Sequence, residues 1–303
     1  MPRLNRSLCC AAVLGSLSLC GAAEEARPVE TFADGAFSGP AVALAVDEAG
    51  REFLALSGRS FGRGVYDVSE REALAKQDRT VMPLEDRQRV TEEWIRAGHF
   101  KPAPQDAVES VICLTDTDGG AKADTRTQVV PSWGGVLDGP VLQADSVFFA
   151  CTPALWKFPA VPAAQPPAAP PAALIQGLGI RTGAGWPGCR AVTCGPDGRI
   201  YFTVGNRGAA AVSGDGTLIS LEATGGVFRC EADGTGLESL ARRLRDPAGI
   251  VVDERGRVFV ADVGAGGSAT RLLYVVPGAD FGWNAVSRPV LTEPYTGQTG
   301  AVR

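Results

Sequence analysis

The sequence predicts an all-β fold built by repeating one strand–turn–strand unit. Three observations carry that prediction. The unit occurs at residues 42–56 (VALAVDEAGREFLAL), 191–204 (AVTCGPDGRIYFTV) and 250–262 (IVVDERGRVFVAD). Its turns are chemically marked: in Gly195-Pro196-Asp197-Gly198 the proline presets φ and the glycine accepts φ > 0. The composition, with 38 Gly and 21 Pro in 303 residues, suits dense turns better than helices. With Asp47, Asp197 and Asp253 as reference points the separations are 150 and 56 residues, which fits a period near 50–56. A strand-built repeat of that length points to a β-propeller.

Taken in order, the chain opens with a targeting segment. Arg3 and Arg6 precede an apolar run from Leu8 to Leu19, and Gly21-Ala22-Ala23 supplies small residues for cleavage. Residues 1–23 are therefore expected to be a signal peptide, leaving 24–303 as the propeller domain. Lipidation at Cys20 is the alternative, although Leu19 is bulky for it. No other stretch approaches membrane-span length. The expected location is outside the cytoplasm, periplasmic or secreted, with lipid anchoring left open. A net charge of −5 with interspersed signs argues against a general nucleic-acid binder. Five cysteines follow the signal: Cys113, Cys151, Cys189, Cys194 and Cys230. Buried inert thiols are the favoured reading, with a Cys189–Cys194 bridge as an alternative. No C-x-x-C-H haem motif is present.

The first strand pair is followed by the Gly-rich loop 61–67, which lacks the lysine and context of a phosphate loop. Residues 69–99 form a helical insertion: Ser69 can cap a first helix, and Val90, Trp94 and Ile95 give the second an apolar face. His99, the sole histidine, sits at its end, where a dipole contact outweighs catalysis. The strand 111–114 then enters DTDGGAKAD. Asp116, Asp118 and Asp124 stand at positions 1, 3 and 9 of a Ca²⁺-loop spacing, with Lys122 offering a carbonyl. Gly120 replaces the position-5 acid and Thr127 the position-12 glutamate, so a weak site or a solvated acidic turn are both open. Residues 141–158 read as a strand pair with Trp156 and Phe158 as core fillers. The Pro/Ala-rich run 159–173 reads as an exposed loop or linker. Residues 225–244 form a hairpin, and 271–284 a strand, a Gly turn and an aromatic closure at Phe281 and Trp283. The count of thirteen or fourteen strands gives three to four blades. A partial ring, a truncated C-terminus and poorly marked last blades all remain open.

These residues also carry a family likeness. GVFRCEADGTGLESLARRLRDPAGIVVDERGRVFVAD, preceded by GPDGRIYFTVGNRG and followed by LLYVVPGADFGW, resembles the six-bladed propellers of quinone-dependent soluble sugar dehydrogenases. The chain is more similar still to the related bacterial "membrane-bound dehydrogenase" propellers, over roughly residues 35–290. PLEDR in the helical insertion, the DTDG loop and CTPALWKF fit the same subgroup. The resemblance implies pyrroloquinoline quinone (PQQ) and Ca²⁺ as cofactors, a sugar or other alcohol as substrate, and a cytochrome c as electron acceptor. It assigns the quinone- and substrate-facing arginine to Arg245, with Asp246 where relatives carry Asn. It offers Arg207 and Asp262 beside Arg245 for holding the cofactor. Arg190 falls where relatives place the base histidine, Asn206 where they place an acid, and Gly266-Gly267-Ser268 where they carry Gly-Gly-Asp. Arginine stays protonated at working pH, so Arg190 cannot accept the hydroxyl proton. Asp246 or Asp262 is then the remaining candidate base. The other reading is a non-catalytic or degenerate propeller that binds a ligand or an exported protein partner.

Overall fold

The computed structural model describes residues 31–34, 41–57 except 48, 66–67, 93, 96–97, 101–102, 109–133, 138–151, 154–159, 172–178, 188–264 except 207, 222 and 223, and 270–283. Blade I contains β1 (Ala41–Val46) and β2 (Glu52–Ser57) and, after the short pair β3 (Tyr66–Asp67) and β4 (Lys101–Pro102), β5 (Glu109–Thr115) and β6 (Thr125–Trp133). Blade II contains β7 (Asp138–Gln143), β8 (Ser146–Cys151), β9 (Ala154–Pro159) and β10 (Ala172–Leu178). Blade III begins with β11 (Cys189–Cys194) and β12 (Ile200–Val204). The chain then leaves it to form β13 (Ala209–Ser213) and β14 (Leu218–Leu221), which extend blade II through β10, and returns as β15 (Gly225–Cys230) and β16 (Glu238–Leu244). Blade IV contains β17 (Pro247–Val252), β18 (Val258–Asp262) and β19 (Arg271–Val275). β20 (Ala279–Asp280) then pairs in parallel with β16, adding a strand to blade III. Every other described strand pair is antiparallel.

The inner strands stack in sequence, β1 on β7, β7 on β11 and β11 on β17, so the described chain is a run of four propeller blades. The reason lies in strand composition. Val147, Phe149 and Cys151 of β8 face blade I, where they meet Phe53, Cys113 and Val130. Phe148 and Ala150 face blade III with Phe202, Val204 and Phe228. A strand buried on both faces reads as a continuous apolar run. The Phe202 and Phe228 rings stack at 5.4 Å, and full burial of each side chain contributes about 1.5–3 kcal/mol. Tyr201, Val227 and Leu244 close the junction with Ile250, Val260 and Leu273 of blade IV.

The repeated turn is one device used five times. The amides of Gly50, Gly198, Gly216, Gly234 and Gly256 each donate to the carbonyl three residues back, and each glycine has positive φ. Asp47 caps the first turn: its carboxylate accepts the amides of Ala49 and Arg51 and the Arg51 Nε at 2.6 Å. Asp253 makes the same set with Arg255 and Arg257. The arginines lie over Phe53 and Phe259 at 5.4 and 5.8 Å. The choice of Asp197 as their equivalent is corrected here, because Gly195 occupies that place. Asp197 instead accepts the Tyr201 hydroxyl at 2.8 Å, and a Cβ at Gly195 would lie 2.5 Å from both Asp197 Oδ1 and Tyr201 Cε2.

Other expectations meet the structure unevenly. The strand pair expected over 141–158 is three strands, and the hairpin β13–β14 was not foreseen. Phe158 is buried in the blade I–II core with Trp156 against it, and Phe281 is buried between blades III and IV. Of the helical insertion, Glu93 and Arg96 are helical and the Ala97 amide donates to the Glu93 carbonyl at 2.9 Å. The rest of it, His99, residues 160–171 of the Pro/Ala run and the signal segment lie outside the described residues. Among the described residues no helix is long and apolar enough to cross a membrane. No disulfide joins any of the five described cysteines. Cys189 and Cys194 stand at opposite ends of β11, about 16 Å apart at strand rise, too far for a disulfide.

Two outcomes follow from this packing. A Cβ at Gly177, whose φ is +76°, would overlap the Ala210 carbonyl where β13 joins β10. Gly177→Ala should lower unfolding stability by about 2–4 kcal/mol, because close overlap adds to the left-handed backbone. Gly256→Ala, with φ +75° and open space around it, should lose only about 1–2 kcal/mol in the same urea titration. Burial pushes the Cys113 thiol up to about 11 and those of Cys194 and Cys230 up to about 12. These three should resist an aromatic disulfide reagent at about pH 8 until the chain is denatured.

Candidate functional site

The blade III–IV junction gathers most of the sequence-predicted catalytic side chains. Arg190 lies near the start of β11, and Arg245 and Asp246 immediately precede β17. Asp262 ends β18 and Arg271 opens β19. Pro247 favours extended backbone at Asp246, and the β17–β18 register shifts between Pro247 and Gly249, where the ladder begins.

Asp262, 2% exposed, organises the cluster. Its Oδ1 accepts the backbone amides of Asp246 at 2.8 Å and Arg245 at 3.1 Å. Its Oδ2 accepts Arg271 Nη2 at 2.7 Å. The Arg245 guanidinium turns back onto its own blade, where Nη1 donates to the carbonyls of Val263 at 2.8 Å and Gly264 at 2.6 Å. Arg190 Nε donates to Asp246 Oδ1 at 3.1 Å, across the two blades. The fully buried Thr203 adds a second link: its hydroxyl accepts the Ala191 amide and donates to the Pro247 carbonyl.

Burial pushes the Asp246 carboxyl above its ordinary range; Arg190 and Arg245 pull it down, Asp262 pushes it up, and burial prevails. An elevated carboxyl is a better proton acceptor at neutral pH than an ordinary one, but this one is already paired with Arg190. Sequence reasoning missed Thr203 and Arg271. Thr203 sits within GPDGRIYFTVGNRG and Arg271 just before LLYVVPGADFGW, but only the strand pairing brings them to the cluster. Asn206 follows β12, and its Oδ1 is buried with no hydrogen-bond partner among the described residues. Arg207 and Gly266-Gly267-Ser268 lie outside the described residues.

The acidic loop sits apart from this cluster, between β5 and β6 of blade I. One carboxylate oxygen from each of Asp116, Asp118 and Asp124 lies within 4.8 Å of the others. Asp116 accepts the amides of Gly119, Gly120 and Ala121. Asp118 accepts the Gly120 amide at 2.8 Å. Asp124 accepts the Thr117 amide and hydroxyl, the Asp118 amide and the Thr125 hydroxyl. Ala121 has φ 60° at the sixth loop position, where Ca²⁺ loops place glycine for the sharp turn. Desolvation opposes ionisation of Asp116, but its three amide donors hold the carboxyl below the usual range. The Thr117 hydroxyl, with further donors, holds Asp124 below it too. Carboxylates kept ionised and converging are hard oxygen donors, and they fit Ca²⁺ chemically.

No protein-family model and no curated protein matches the chain. Among solved structures it is similar to a calcium-binding protein, regucalcin, from Agrobacterium tumefaciens, at 14% identity and TM-score 0.35, over 56% of this chain and 54% of that one. It is also similar to a chain of a nidogen/laminin complex, at 13% identity and TM-score 0.28, over 55% of this chain and 75% of that one. The match thus spans about half the length of regucalcin.

The cluster predicts a stability cost and a pH signature. Asp262→Ala leaves the two amides and Arg271 without their shared acceptor and should lower unfolding stability by about 3–5 kcal/mol, read by denaturant titration. The raised Asp246 carboxyl means the native state holds this proton more tightly than the unfolded chain does. Its contribution to stability is full below about pH 3.8 and falls as pH rises through the native value. Asp246→Asn should remove that negative slope from the stability–pH profile; an identical profile in the variant would contradict the assignment.

Proposed function

We propose that this chain is an exported propeller of the quinone-dehydrogenase kind that binds a ligand or an exported protein partner without turnover, and that its acidic loop holds Ca²⁺. One observation supports the non-catalytic reading above the others. Of the side chains that the resemblance places at the site, those among the described residues are engaged with each other and with backbone. Arg190 bonds Asp246 and Arg245 bonds two carbonyls. A polyanionic quinone such as PQQ needs cationic donors directed at it, and these two are directed elsewhere. The described residues therefore do not fit PQQ. Export rests on the composition of residues 1–23.

The raised carboxyl of Asp246 favours a second reading, a sugar or alcohol dehydrogenase passing electrons to a cytochrome c. It requires Arg190 to release Asp246 first. Titrating the purified chain with PQQ and Ca²⁺, followed by dye reduction with an aldose and alcohol panel, separates the two. The binding reading expects neither a quinone spectral shift nor turnover. Turnover that is lost in Arg245→Ala would establish the dehydrogenase instead.

Three carboxylates make a weak site, of the kind whose Kd lies near 10⁻⁴–10⁻³ M. About 10 mM Ca²⁺ should therefore add about 1–3 kcal/mol to native stability, visible as a rise in Tm that a chelator reverses. Asp118→Asn keeps an oxygen for the Gly120 amide but removes a charge, and it should abolish most of the rise. Hydrogen-bond donors hold the Asp116 and Asp124 carboxyls below the usual range, so the Ca²⁺ effect should persist at about pH 5. An effect that vanishes at pH 5, or survives Asp118→Asn, counts against the site.

A further inference from the structure

Arg190 and Arg245 carry donors that the blade III–IV junction does not use. Arg190 bonds Asp246 through Nε alone, at 3.1 Å, and its side chain is 28% exposed. Its Nη1 and Nη2 donate to nothing among the described residues. Arg51 and Arg257 also bond an aspartate through Nε, but at 2.6 Å and with the guanidinium laid over Phe53 or Phe259. Arg190 has the longer bond, and among the described residues no ring lies beneath it. Arg245 commits Nη1 to the Val263 and Gly264 carbonyls and leaves Nε and Nη2 without a partner there. Charge is unbalanced in the same way. Asp262 pairs with Arg271 and Asp246 with Arg190, but among the described residues no carboxylate pairs with Arg245. Three guanidinium groups thus meet two carboxylates, and Arg245 holds the surplus. Both Arg190 and Arg245 act on Asp246 as neighbouring charges. Arg190 is near the start of β11 and Asp246 immediately precedes β17, so the cluster lies at the ends of two neighbouring inner strands.

We infer that the blade III–IV junction binds a small ligand bearing one carboxylate or equivalent oxyanion, seated on the Nη1–Nη2 edge of Arg190, with Arg245 supplying the unpaired charge. This deepens the ligand-binding reading above and rests on it. A guanidinium presents two parallel N–H donors to such a group, and a bidentate pair outweighs a single bond. Asp246 is then the internal competitor, holding Arg190 by one bond until the ligand arrives. A single negative charge fits and several do not, because the surplus is one charge and Nη1 of Arg245 stays on its carbonyls. The site also couples to pH. The charged groups that face Asp246 are Arg190 on β11, Arg245 on its own turn and Asp262 on β18, the last paired with Arg271 on β19. A proton taken up by Asp246 removes the negative charge that competes for Arg190, so binding strengthens as pH falls. Burial already pushes that carboxyl up, toward the range where the change is measurable.

Isothermal titration of the full chain with methanesulfonate, an oxyanion that stays ionised throughout, tests this in low-salt buffer. Saturable binding with a Kd of about 1–10 mM is expected at about pH 7. It should tighten severalfold at about pH 5. Arg190→Gln should abolish it. Arg190→Lys keeps the charge but loses the fork, and should weaken binding about fivefold or more. Asp246→Asn should tighten binding at neutral pH and remove most of the pH dependence. A parent chain that does not saturate overturns the inference. So does binding that Arg190→Gln leaves unaltered, and so does a pH dependence that survives Asp246→Asn. Circular dichroism checks that the variants keep their strands; should Arg190→Gln unfold, Arg190→Lys decides in its place. The titration contains no quinone, so its failure leaves the non-catalytic reading standing, while turnover with PQQ is the separate result that overturns that reading.

Discussion

The packing of one sheet face on another is the constraint on which this structure depends. A single blade cannot bury its own faces, because each is only one strand layer thick. Val147, Phe149 and Cys151 are buried because blade I covers them, and Phe148 and Ala150 because blade III does. Neighbouring residues of one strand thus belong to different cores, and a substitution in β8 is felt at two junctions. Each side chain the size of phenylalanine contributes about 1.5–3 kcal/mol on full burial. That term is available only when the next blade is in place, so the stability of each blade is conditional on its neighbours.

Among the described residues the two buried carboxylates, Asp246 and Asp262, enter this apolar stack at one place, the blade III–IV junction. Asp262 is nearly fully buried and would be costly alone; two backbone amides and the Arg271 guanidinium offset its desolvation. The turn before β17 is held in its shape by that carboxylate. Because the turn is fixed, Asp246 can meet Arg190 of the neighbouring blade, and Thr203 can reach the Pro247 carbonyl. The same bonds that lock the blades together occupy the groups a catalyst would need. A guanidinium that donates to two carbonyls is an anchor first, and recruiting it for a ligand would leave those carbonyls unsatisfied.

The fold was legible in the sequence wherever a turn was chemically marked. Asp47-x-x-Gly50-Arg51 and Asp253-x-x-Gly256-Arg257 announce their hairpins because aspartate caps the turn amides and glycine takes the positive φ. The hairpin β13–β14 carries the same turn at Ser213–Thr217, but its strands, AAAVS and LISL, are short and weakly apolar. It also joins a blade other than the one whose strands flank it in sequence, which local pattern cannot reveal. Of the candidate site, Arg190, Asp246 and Asp262 were visible by resemblance, while their mutual bonding was not. An arginine at a base position reads simply as a missing base until a carboxylate 56 residues away is placed beside it.

Gly195 shows how the repeat can change without losing its geometry. In blades I and IV the turn is capped by an aspartate that also holds an arginine over an aromatic ring. In blade III the aromatic is Tyr201, and its hydroxyl seeks an acceptor because the ring is buried between blades. Asp197 supplies that acceptor from two residues further along the turn. The space the capping carboxylate would fill is then taken, so glycine stands in its place and Pro196 restricts the turn that the missing cap would have held. Arg199, released from the cap, reaches instead to Glu231 on the neighbouring turn of the same blade, at 2.7 Å. One aromatic-to-phenol exchange thus reassigns the acid, the glycine and the arginine around it, while the two backbone hydrogen bonds that define the turn stay the same.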